Sequence, residues 1–117
     1  MNDQIVTFEV AKLAKDHGFN IPTSQFYNDD GTLNGCISLK DSCPFGIYAP
    51  SQTCICRWLR KEKNIHIVPY PIFLIDGVDY RFDIYTPRLN KPKKMGYYSD
   101  YEDGIESSLK YIFKNLL

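Results

Sequence analysis

The chain has 117 residues, of which 44% are hydrophobic, 15% aromatic and 24% charged. That composition excludes a disordered or collagen-like protein and predicts one domain over residues 1–117. Fourteen basic residues balance fourteen acidic ones, so no net field draws in nucleic acid or an acidic membrane.

Thr7 has the chemistry of an N-cap, with Val6 and Ala11 placed to close a hydrophobic staple, and a helix is predicted over Phe8–Asp16. Val10, Leu13, Ala14 and His17 share one face, and Gly18 followed by Phe19 marks the end. Ser24–Tyr27, the turn Asn28-Asp29-Asp30-Gly31 and Thr32–Leu39 form a first predicted hairpin. Asp41–Tyr48 has no period and is expected to be a loop.

Ala49-Pro50-Ser51 opens a second helix over 50–63. Ile55, Trp58 and Leu59 fall on its apolar face, Arg57, Arg60, Lys61 and Lys63 on its basic one, and Asn64 can take the left-handed conformation that stops it. The run Ile65–Ile75 then meets Val78–Tyr85 across Asp76-Gly77, the strongest hairpin signal in the chain. A two-residue turn there sets Ile75 opposite Val78, Phe73 opposite Tyr80, Pro71 opposite Phe82 and Pro69 opposite Ile84, giving one apolar face. The other face mixes Tyr70, Ile72 and Leu74 with Asp79, Arg81 and Asp83, and the two prolines, Pro69 and Pro71, place their strand at a sheet edge or make it bend there. Thr86–Tyr98, with Lys91, Lys93 and Lys94, is expected to be a loop. Ser99-Asp100-Tyr101-Glu102 reads as a capping box before a last helix, whose stripe is Tyr101, Ile105, Leu109, Ile112, Phe113 and Leu116.

The order helix, hairpin, helix, hairpin, helix predicts an α+β fold: one antiparallel sheet of about four strands, with the helices packed on one face. The first four residues lack a basic secretory start, and no stretch reaches the ~18 apolar residues of a bilayer span, so the expected place is the cytoplasm without a membrane. In that reducing setting Cys36, Cys43, Cys54 and Cys56 are expected to be thiols. Cys54 and Cys56, two apart on a helix, point about 200° from one another, which does not suit zinc, and no metal or cofactor is expected.

Three blocks resemble a family. They are Ile5–Leu13 with Gly18-Phe19; Ala49-Pro50-Ser51-Gln52 leading to Arg57-Trp58-Leu59-Arg60-Lys61 and Asn64-Ile65-His66-Ile67; and Tyr98–Leu116. The chain is similar there to small uncharacterised proteins of phages and prophages of gut Bacteroidetes, although Ser51 and Cys54-Ile55-Cys56 depart from the usual residues. The resemblance implies a phage-type accessory protein of the host bacterial cytoplasm and carries over no activity or site residue.

Catalysis has a poor supply of imidazole: His17 fits a cation at a helix C-terminus and His66 the polar face of a strand. Asp79 and Asp83, four apart on a strand, stand ~13 Å apart, too far for a paired-acid mechanism. No phosphate-cradling glycine motif, metalloprotease motif or nucleophile elbow is present. The expected function is therefore non-catalytic binding of a protein partner or of a second copy, through Tyr70, Ile72, Arg81, Asp83 and Tyr85. Two alternatives stand beside it. Arg57, Arg60, Lys61 and Lys63, followed by a hairpin, suit a winged-helix-like nucleic-acid contact. A tyrosine stacked on a base, with an arginine on phosphate, would suit a protein that counters host defence by capturing a small nucleotide messenger.

Overall fold

Residues 4–35 and 46–117 are described in the computed structural model of the chain. Cys36, Cys43 and the end of the first predicted hairpin lie outside them. Helix α1 covers Phe8–Asp16, as the sequence predicts. The Thr7 hydroxyl accepts from the Val10 N–H at 3.3 Å and caps it. At the other end Gly18 takes φ +94°, the Gly18 N–H reaches the Lys15 carbonyl and the Phe19 N–H reaches that of Ala14. This is the paired closure that a glycine at C′ allows.

Strands β1 (Gln25–Tyr27), β2 (Leu33–Gly35) and β3 (Ile47–Tyr48) form one antiparallel sheet in the order β2-β1-β3. Gly31 supplies the positive φ in the β1–β2 turn, and Thr32 N–H donates to Asp30 Oδ1 at 2.9 Å. β3 replaces part of the expected loop. At two residues it is too short to leave an alternating pattern.

Helix α2 covers Gln52–Trp58, capped by Ser51, and runs on as a π-helical segment Leu59–Lys63 to Asn64 at φ +53°. Strands β4 (His66–Leu74), β5 (Gly77–Tyr85) and β6 (Lys93–Tyr98) make the second antiparallel sheet in that order. β6 lies in the expected loop. Its lysines and Gly96, at φ +98° beside a bulge at Phe82/Asp83, break the alternation that marks a strand. Helix α3 covers Tyr101–Tyr111 and continues as a π-helical segment Ile112–Leu116. Its cap is Asp100 rather than Ser99: Asp100 Oδ1 accepts from Glu102 N–H at 2.9 Å.

The hairpins do not share one four-stranded sheet. Each belongs to its own three-stranded sheet. α1 packs on β3 and on α3, and α3 packs on β5 and β6, so the helices join two sheets instead of covering one. Phe8 meets Tyr27 edge-on at 5.5 Å, while Trp58 meets Phe19 at 5.4 Å and Phe113 at 6.5 Å. Val6, Val10, Ile55, Leu59, Ile65, Phe82, Ile84, Leu109, Ile112 and Phe113 are buried with them.

A buried carboxylate ties the three helices together. Glu106, 6% exposed, accepts from Thr7 N–H (3.2 Å), Thr7 Oγ1–H (3.0 Å) and Gln52 Nε2 (3.3 Å). Three donors, and the positive end of α1, offset its desolvation without a cation. Tyr27, whose hydroxyl donates to the Val6 carbonyl at 2.6 Å, has its pKa pushed up by burial and then by the Glu106 charge.

Candidate binding surface

The β4–β5 hairpin carries the residues that the sequence singles out, in a register two residues from the expected one. Ile75 and Asp76 form the turn, Leu74 pairs with Gly77, Pro71 with Tyr80, Tyr70 with Arg81, and Pro69 with Phe82. The prolines supply the physical reason. In an antiparallel ladder, hydrogen-bonded and non-hydrogen-bonded pairs alternate. With Leu74 and Gly77 closing the turn as a bonded pair, Pro69 and Pro71 fall on non-bonded pairs, where a missing N–H costs no ladder bond. A turn at Asp76-Gly77 would set both prolines where β5 needs a donor. Because a shift of two keeps parity, the side chains stay on the expected faces.

On the outer face the structure brings the expected set together. The Arg81 guanidinium lies 4.6 Å from the Tyr70 ring centre, its Nη2 reaches Asp83 Oδ2 at 3.5 Å, and the Tyr70 and Tyr85 hydroxyls are 3.3 Å apart. That hydroxyl contact leads the effects that push the Tyr85 pKa up. Ile72 stands opposite Asp79 and is half-buried. Asp83 is 3% exposed, and its Oδ1, like Arg81 Nε, is buried without a hydrogen-bond partner, while its Oδ2 holds the Arg81 guanidinium.

The inner face carries the feature that the sequence reading missed. Its root is covered: Phe82 and Ile84 are fully buried, and Tyr80 meets Tyr101 edge-on at 5.4 Å. Past Tyr80 the β4 side of the face is bare: Phe73 is 83% exposed although Val78 opposite it is half-buried, and beyond it Leu74, whose side chain belongs to the outer face, is 48% exposed and Ile75, at the turn, 109%. Residues 71–74 therefore project about 13 Å as an apolar arm, at ~3.3 Å per strand residue. The alternation on β4 marks Phe73 as inward, and only the position where α3 begins leaves it uncovered.

Beneath the arm lies a cleft of about 870 Å³. Gln52 and Cys56 of α2 and Arg60 of the π-helical segment line it, together with Ile67, Val78, Tyr80 and Ile105, and with Asp100 and Glu102 from the start of α3. Hydrogen bonding to Glu102 holds the Asp100 carboxyl below its usual range.

Arg57, Arg60, Lys61 and Lys63 are all exposed, and Lys63 Nζ sits 5.6 Å from the Trp58 ring centre. Neither histidine lines the cleft. His17 Nδ1 donates to the Leu13 carbonyl at 2.8 Å, and His66 Nε2 lies 3.0 Å from Asn64 Oδ1. Among the described residues no group of three or more His, Cys, Asp or Glu is placed to hold a metal ion, and no helix is long and apolar enough to cross a membrane. In comparisons with known proteins, no family model, no curated protein and no solved structure matches the chain.

Proposed function

We propose that this chain is a non-catalytic binding module that engages a protein through the β4–β5 arm. The observation that carries the reading is the bare tip, where Phe73, Leu74 and Ile75 follow one another exposed to water. Contiguous apolar surface of this kind marks an interaction site, and an arm stiffened by a nine-residue ladder presents it with little ordering cost. The outer face, with Tyr70, Arg81 and Tyr85 already held against one another, adds aromatic and arginine groups of the sort that dominate interface energy. The resemblance of the helical blocks suggests the setting, a phage-type accessory protein of the bacterial cytoplasm.

The test places a benzophenone photocrosslinker at position 73 in the full chain, expressed in bacterial cells. A crosslink to protein that disappears in the Ile75→Asp variant supports the reading, and illumination that leaves only uncrosslinked chain overturns it. Ile72→Lys and Arg81→Glu extend the test to the outer face. A second reading, contact with nucleic acid through Arg57, Arg60, Lys61 and Lys63, is favoured by the exposure of all four beside a hairpin. It predicts binding that weakens steeply as salt rises.

A further inference from the structure

Resting on that binding-module reading, we infer that the arm's partner is a second copy of this chain, and that its apolar tip seats in the cleft beneath the arm of that copy. The chemistry of the two surfaces matches. Pro71–Asp79 carries Asp76 and Asp79 and no cation, around exposed Phe73 and Ile75. The cleft has apolar lining in Ile67, Val78, Tyr80 and Ile105 and a cation in Arg60, which exposed Lys61 follows in the π-helical segment. Asp100 and Glu102 also line it and repel the acidic turn. The favoured seating therefore sets Asp76 toward Arg60 and the Phe73 side chain on the apolar lining.

Size and symmetry agree. A space of about 870 Å³ is open in each chain, within the ~300–1,000 Å³ over which pockets enclose their occupants. The same arm also lines its own cleft through Val78 and Tyr80. A two-fold axis therefore makes both contacts at once, each arm entering the other's cleft, and the assembly closes without exposing a further tip. One arm alone is a small contact, and the two-fold exchange doubles it toward the size that a stable interface needs.

Sedimentation of the purified full chain, over about 1 to 500 μM, reads the mass. The wild type is expected to double its mass within that range. Ile75→Asp, which alters a side chain that touches nothing in the single chain, should weaken association by about 30-fold or more. Asp76→Arg and Arg60→Glu should each weaken it by about 2- to 5-fold, and the two together should restore it. With benzophenone at position 73 and a mixture of light and isotope-labelled chains, the crosslink should join unlike chains and map to residues lining the cleft.

A single-chain mass at every concentration overturns the inference. So does a dimer whose charge swap gives no rescue and whose crosslink maps elsewhere. If the pure chain stays single while position 73 crosslinks to another protein in cells, self-docking fails and the binding-module reading stands. If position 73 crosslinks to protein in neither setting, both fail.

Discussion

The Phe82 ring packs directly against Gly104: a Cβ built at position 104 would sit well inside the contact distance of Phe82 Cε2. Phe82 is fully buried and meets Tyr98 at 5.9 Å and Tyr101 at 5.6 Å, so the ring has nowhere to retreat. Gly104 sits inside a helix, where glycine is normally a cost of about 1 kcal/mol. Here its missing side chain sets how closely α3 approaches β5. Gly104→Ala should therefore destabilise the protein despite alanine's better helix propensity. The overpacking loss is about 1–3 kcal/mol, to be read as a lower urea midpoint at unchanged slope.

Pro71 stands exposed on β4, an edge strand, and its missing N–H falls on the open side of that edge. Pro71→Val restores a donor there without touching the ladder to β5. Thermal stability should change by no more than about 1 kcal/mol, while open-edge pairing raises the aggregation that light scattering reads.

Glu106→Gln tests the junction of the three helices. The substitution keeps the shape, and with the amide oxygen kept on the N–H donors of Thr7 and Gln52 it turns its NH₂ toward the Thr7 hydroxyl, which loses its acceptor. Leaving a buried donor unmatched costs about 1–3 kcal/mol. Hydrogen exchange should rise first at the start of α1, where that hydroxyl caps the Val10 N–H.

Glu9 on α1 reaches Lys114 at 2.8 Å and Lys110 at 3.2 Å, bonds that hold its carboxyl below the ordinary value of 4.5. A carboxylate whose folded pKa is depressed contributes stability above its unfolded pKa and loses it as pH falls through the folded value. Acid unfolding of Glu9→Gln should accordingly depend less on pH than that of the wild type below about pH 4.5. The two should run parallel on the alkaline side of that window. High salt should shrink the difference, because the three groups are exposed or half-exposed.

The sequence by itself determined the local features. Thr7 and Gly18 bounded α1, Asn28-Asp29-Asp30-Gly31 turned the first hairpin, Asn64 stopped the π-helical segment, and period-two alternation placed Tyr70, Arg81 and Tyr85 on one face and Phe82 and Ile84 on the other. Each rests on contacts between near neighbours, where residue type alone sets the preferred geometry. Tertiary structure decided what depends on distant groups: β6, whose broken alternation is stabilised by pairing with β5; the hairpin register, set by where two prolines can forgo a donor; and the division into two sheets joined by helices. It also decided which apolar residues are left bare. Phe73 and Phe82 share a face and a pattern, but Phe82 is buried under Gly104 and Phe73 lies past the start of α3, so one became core and the other became surface.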